Sequence, residues 1–104
     1  MHQATLDVTV ADIVATVRFY ADDEGGRQKL TPPDKFGCLL ELDGEYFDCR
    51  LLLSGIGAVW PGRRVFVPIK FLLPQLILPR LKPGVRFHLR EAETIAEGVV
   101  EQML

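Results

Sequence analysis

The sequence predicts an all-β domain of six or seven short antiparallel strands, closed as a barrel or stacked as a sandwich. Three observations carry that expectation. Apolar residues recur at every second position along most of the 104 residues, which is the period of a half-buried strand. Turn-forming residues separate these runs at short intervals, and no amphipathic helical stretch interrupts them. At 48% hydrophobic and 25% charged, the composition is that of a folded domain rather than a disordered, collagen-like or disulfide-dense chain. A chain this short can bury one core, so residues 1–104 are expected to form a single domain.

The elements follow in order. Leu6, Val8 and Val10 alternate with Asp7 and Thr9, so residues 1–10 read as an extra strand or a strand-like arm. From Ile13 to Tyr20 the odd positions are apolar while the even face includes Thr16 and Arg18, as a half-buried strand requires. Ala21–Lys29 is polar around Gly25-Gly26 and reads as a turn or loop whose glycines supply positive φ. Pro32-Pro33 keeps the following residues out of a helix. Phe36–Leu52 is then a hairpin turning at Asp43-Gly44, the dipeptide that suits a type I′ turn. That turn sets a register pairing Leu42 with Glu45, Leu40 with Phe47 and Cys38 with Cys49. Cys38, Leu40, Leu42, Phe47, Cys49 and Leu51 share the core face of this hairpin, and Glu41, Asp48 and Arg50 share the wet one.

Leu53–Gly62 is a glycine-containing connection that holds the only tryptophan, Trp60. Val65, Val67, Ile69 and Phe71 form the inward face of the next strand, in which Pro68 marks an edge or a bulge. Three prolines (Pro74, Pro79 and Pro83) in Leu73–Gly84 leave no helix expected there. Val85, Phe87 and Leu89 alternate with Arg86, His88 and Arg90 in a further strand. The last strand runs from about Thr94 to Met103, with Gly98 expected at a bulge.

Charge narrows the function classes. Twelve basic and fourteen acidic side chains give a net charge of −2, which disfavours a globally basic nucleic-acid binder. The signs are segregated, however. Arg63, Arg64, Lys70, Arg80, Lys82, Arg86 and Arg90 form a run of seven bases without an acid. Such a block attracts phosphate or acidic partners, unless acidic strands pair beside it and neutralise it. His88 lies on the outward face between Arg86 and Arg90, as plain surface or as part of the same binding face.

Catalytic chemistry finds little support. The chain has neither a G-x-x-x-x-G-K-[ST] phosphate loop nor a G-x-G-x-x-G motif, so no GTP binding is expected. One serine, Ser54, and two histidines, His2 and His88, do not make a nucleophile–base pair. Cys38, Cys49 and one distant histidine lack metal-ligand spacing, so no metal or other cofactor is expected. The cysteines read as reduced core thiols, with oxidation open to them by their cross-strand register. The N-terminal ten residues lack the basic and apolar regions of a signal peptide. The longest uncharged stretch, Leu51–Gly62, is twelve residues with a proline and three glycines, too short to span a membrane as a helix. A reducing cytoplasm is therefore the expected compartment.

Three segments carry a family likeness. Val17–Arg27, a strand running into Asp-Glu-Gly-Gly-Arg, resembles the opening of the third, C-terminal β-barrel domain of elongation factor Tu. Trp60-Pro61-Gly62 before a valine-rich strand is similar to that family's Met-Pro-Gly. Gly84-Val85-Arg86-Phe87, Arg90-Glu91 and Thr94-Ile95-Ala96-Glu97-Gly98-Val99-Val100 resemble its closing strands, so the likeness runs in order over residues 13–104. The resemblance implies a six-stranded antiparallel barrel without an active site. It also implies contacts with tRNA or a translation factor, and among the family's tRNA-contacting residues only Glu91 carries over cleanly. Ala92 stands where the family has glycine, and Pro33-Asp34-Lys35 replaces its Arg-Pro-Gln.

The expected function is thus a non-catalytic binding module. A translation-related RNA or translation-factor contact would use Arg63, Arg64, Lys70, Arg86, His88, Arg90 and Glu91. The alternative is a protein-recognition or homo-oligomerisation module using the greasy segment Phe71–Pro79, with Phe71, Leu72, Leu76 and Ile77 at the interface.

Overall fold

The computed structural model describes residues 10–104. It shows a closed barrel of six antiparallel strands: β1 (Ile13–Phe19), β2 (Lys35–Leu42), β3 (Glu45–Leu52), β4 (Arg64–Phe71), β5 (Arg86–Arg90) and β6 (Thr94–Met103). Around the barrel the order is β1-β4-β3-β2-β5-β6, and β6 closes back onto β1. The proposed arm at residues 1–10 lies outside the described residues except for Val10, which is in a turn.

Local sequence explains most of this. The β2–β3 hairpin has the expected register, with Leu42 opposite Glu45, Leu40 opposite Phe47 and Cys38 opposite Cys49. Its turn places Asp43 at φ 52° and Gly44 at φ 80°, the two left-handed positions that a type I′ turn demands. Odd residues of β1 and β4 and even residues of β2 point inward. Ile13, Val17, Leu40, Leu51, Val67, Ile69 and Leu89 are completely buried, and Phe19 and Phe71 nearly so. Pro68 stands where the β3–β4 ladder stops, since that ladder pairs only Cys49–Leu51 with Ile69–Phe71. Its missing N–H falls on the unpaired side of β4, so it interrupts no ladder.

Connections gather at two ends. One end carries the β1–β2, β3–β4 and β5–β6 loops, with Leu53 and Val59 buried beneath them. Thr31, the one buried polar residue described, joins two of these loops. Its Oγ1 accepts from the Val59 amide at 2.9 Å and donates to the Pro32 carbonyl at 3.0 Å. The other end carries the β2–β3 turn and the β4–β5 connection, plugged by Ile77 and Leu81. There Asp12 Oδ2 accepts from the Phe71 amide at 2.8 Å, and the Asp12 carbonyl accepts from Leu104 at 3.1 Å.

Three local expectations are corrected. The β4–β5 connection does contain a helical turn, α1 (Pro74–Ile77), continued by a 3-10 turn over Leu78–Arg80. Pro74 and Pro79 sit at the starts of these turns, where a missing N–H forfeits no bond. A second one-turn 3-10 helix, Asp22–Glu24, lies in the β1–β2 loop.

Gly98 is not a bulge. It pairs regularly with Phe87 and Val17, while the register shifts skip Glu101 on the β1 side and Ile95 on the β5 side. A Cβ at Gly98 would stand 2.4 Å from the Phe87 ring, so the glycine makes room for that ring. Nor do both loop glycines supply positive φ. Gly25 does, at 89°, but at Gly26 a Cβ would meet the Tyr20 carbonyl oxygen at 2.1 Å. Close backbone approach is what requires glycine there.

Candidate interaction site

Two of the four residues expected at an apolar interface are not available to one. Phe71 is the last inward residue of β4 and Ile77 points from α1 into the barrel end; they are 1% and 0% exposed. The alternation that buries Phe71 turns Leu72 outward, and the single turn of α1 that buries Ile77 turns Leu76 outward. Leu72, Leu73 and Leu76 are 64%, 49% and 55% exposed.

These three leucines and Tyr46, Phe47 and Asp48 of β3 line a cleft of about 120 Å³. That approaches the roughly 150 Å³ that admits a benzene-sized group. The Leu72 amide donates to the Asp48 carbonyl at 3.1 Å, which fixes the connection beside β3.

Arginines brace the wall. Arg80 reaches Asp43 at 3.4 Å and Glu45 at 3.1 Å, with its guanidinium 5.7 Å from the Phe47 ring centre. Arg90 lies 5.9 Å from the Tyr46 ring centre. Exposed pairs of this kind are worth about 1 kcal/mol or less each, so they orient the rings more than they hold the fold. Asp43, Glu45 and Asp48 against Arg80 and Arg90 leave the rim with one carboxylate in excess. The sequence signal for Leu73 lay within the greasy segment already singled out. Tyr46 lies outside the segment the sequence singles out, although its outward parity on β3 marks an exposed aromatic.

The basic block is divided by the fold. β4 and β5 are consecutive in sequence but stand opposite each other in the barrel, with β3-β2 on one side and β1-β6 on the other. Arg64 and Arg86 reach over β1 and β6 from either flank and line a shallow depression with Thr16, Arg18, Glu97 and Val99. Arg63 faces Trp60, Ile56 and Val65 beside the loop end. Lys70 pairs in register with Arg50 of β3. Arg90 and Glu91 border a separate depression with Arg50. His88 is exposed, and its cross-strand neighbours are Glu41 and Glu97. Neutralisation by acidic strands is slight: of the seven bases, Arg80 alone is in an ion pair among the described residues.

Arg18 makes the paired contacts on the Arg64–Arg86 face, to Glu24 at 3.1 Å and Glu97 at 3.3 Å. The Ala21 amide and then Arg18 hold the Glu24 carboxyl below the ordinary glutamate range. Burial and then the Glu97 charge push the Tyr20 phenol up.

All three segments that carry the family likeness meet at the loop end. The Gly62 amide donates to the Phe19 carbonyl at 3.1 Å and the Tyr20 amide to that of Ile95 at 2.9 Å. Arg27 Nε bonds Glu91 Oε1 at 2.9 Å, its guanidinium 4.8 Å from the Phe36 ring centre. Glu91 is therefore engaged as a tie between two loops.

Among the described residues, no group of three or more His, Cys, Asp or Glu side chains is placed to hold a metal ion. No helix among them is long and apolar enough to cross a membrane. No protein-family model matches the chain, and no curated protein matches its sequence.

Proposed function

We propose that this chain is a non-catalytic β-barrel binding module that docks another protein in the cleft between β3 and α1. The observation that carries the reading is the exposure of Leu72, Leu73 and Leu76 beside an exposed Tyr46. Contiguous apolar surface of this kind marks an interaction site. The acidic rim of Asp43, Glu45 and Asp48 suits a partner segment that presents an apolar side chain flanked by basic ones. Affinity capture with the wild type and with the Leu72→Glu and Leu76→Glu variants tests it. Each variant should keep its circular dichroism spectrum and bind the captured partner at least about tenfold more weakly, since burying one leucine contributes about 1.5–3 kcal/mol. Light scattering over a range of concentrations reveals whether that partner is a second copy. Unchanged capture by both variants would refute the reading.

A second reading, a translation-related contact in the cytoplasm with RNA such as tRNA or with a translation factor, is favoured by Arg64 and Arg86. Both flank one depression and neither is in an ion pair among the described residues. The ordered resemblance to the third barrel of elongation factor Tu supports the same setting. Labelled bulk tRNA should then bind tightly at about 50 mM salt and weakly at about 200 mM, with Arg64→Glu/Arg86→Glu abolishing it. Absence of binding at both salts removes this reading and leaves the first.

A further inference from the structure

Cys38 and Cys49 hold their sulfurs 3.8 Å apart inside the barrel, and both are free thiols. They are direct cross-strand partners in the β2–β3 hairpin. Counting back from the two-residue turn makes them a hydrogen-bonded pair, with Cα atoms about 5.5 Å apart, within the range a disulfide spans. Their surroundings differ. Cys49 is fully buried, whereas Cys38 keeps 8% of its surface exposed.

The topology gives the reason: the β2–β5 ladder runs only from Leu39 to Glu41. β2 has no ladder partner on that side at Cys38, and the seam opens. An open depression of about 400 Å³ lies there, bordered by Gly37, Cys38 and Leu39, with Arg50, Arg90, Asp48 and Glu91 on its walls. Glu91 is held by Arg27, and Arg50 Nη1 donates to the Cys49 carbonyl at 2.9 Å. Arg50 and Arg90 thus line the depression with Asp48 as the carboxylate outside any described ion pair.

We propose that Cys38 and Cys49 are a reversible thiol–disulfide pair, oxidised through the β2–β5 seam by a small anionic disulfide such as oxidised glutathione. Cys38 is the entry sulfur and Cys49 the resolving one. In the first step Cys38 loses its proton and attacks one sulfur of the oxidant. The oxidant's S–S bond breaks, and one small thiolate leaves and takes up a proton. Cys49 then loses its proton and attacks the Cys38 sulfur of the mixed disulfide, releasing the second small thiol. Two protein thiols are oxidised to one disulfide while one small disulfide is reduced to two thiols. The arginines favour the anionic carboxylates of the oxidant. The hydrogen bond with Cys49, together with burial, pushes the Cys38 thiol up. Exchange is therefore slow at neutral pH and quickens as pH rises, because the thiolate is the nucleophile. A hydrogen-bonded strand pair already stands within disulfide range, and the same exchange run backward with excess small thiol returns both cysteines.

The test incubates the native full chain in glutathione buffers from fully reduced to fully oxidised, followed by acid quench, alkylation and intact mass. The expected product has lost two hydrogens, takes no alkylating agent, and regains both thiols in dithiothreitol. Its rate of formation should rise about tenfold from pH 7 to 8. Cys49→Ala should stop at a glutathione adduct on Cys38. Three results would overturn the proposal: two alkylatable thiols persisting in fully oxidised buffer, a wild-type chain halted at the adduct, or a disulfide formed only after denaturant unfolding. None of these readouts depends on the cleft, so the two proposals fail separately.

Discussion

Phe71→Ala should lower the unfolding free energy by about 3–5 kcal/mol, and Leu72→Ala, one residue on, by no more than about 0.5 kcal/mol. Phe71 is the inward end of β4, packed at 1% exposure in the core, while Leu72 is 64% exposed in the cleft wall. Truncating Phe71 removes the transfer free energy of an aromatic ring and leaves a void that a closed barrel cannot collapse to fill. Truncating Leu72 removes atoms that are already largely in water. The same contrast applies within α1, where Ile77→Ala should cost about 2–5 kcal/mol and Leu76→Ala almost nothing. Urea denaturation of the four variants measures it. A costly Leu72 or Leu76 would mean that these side chains pack into the fold, and the cleft would lose its standing as a free surface.

Gly98→Ala should cost about 1–3 kcal/mol, and Gly98→Val more, by overpacking. The new Cβ would stand 2.4 Å and 2.5 Å from two atoms of the Phe87 ring, which is itself only 2% exposed. Phe87 pairs with Gly98 across β5 and β6, so the ring cannot swing away without leaving the core. Trimming the ring should relieve the clash. The double variant Gly98→Ala/Phe87→Leu should therefore be more stable than the sum of the two single losses, by about 0.5–3 kcal/mol of coupling. Strictly additive losses in thermal or urea unfolding would contradict the contact.

Which features could be read from the chain follows from how local their causes are. The β2–β3 hairpin was legible because Asp43-Gly44 fixes the turn, the turn fixes the register, and the register places every side chain on one face or the other. The inward parity of β1, β4 and β5 was legible for the same reason. Features whose causes lie outside local pattern differ from what the sequence predicts. The prolines of the β4–β5 connection start helical turns instead of preventing them, and only the three-dimensional path of the chain shows that Pro74 and Pro79 stand where no N–H is needed. Gly98 looked like a bulge because the ring that requires it is on another strand.

The candidate site was half legible for a related reason. Phe71–Pro79 drew notice by composition. Which of its residues point to water depends on where β4 ends and α1 begins, and that separates Leu72 and Leu76 from Phe71 and Ile77. The seven bases looked like one patch because they are contiguous in sequence. Barrel closure sets β4 and β5 on opposite sides, and Arg64 and Arg86 line one depression because they reach across β1 and β6.

The central claim is that the cleft between β3 and α1 is where this module meets its partner. Site-specific photo-crosslinking tests it most directly, with a photoreactive residue placed at Leu76 in one chain and at Arg86 in another, each irradiated in the presence of the captured partner. Position 76 is 55% exposed in the cleft, and position 86 is exposed on the β1–β6 face. The account predicts a covalent adduct from position 76 and none from position 86. An adduct from position 86 alone would contradict it and move the interface to the arginine face.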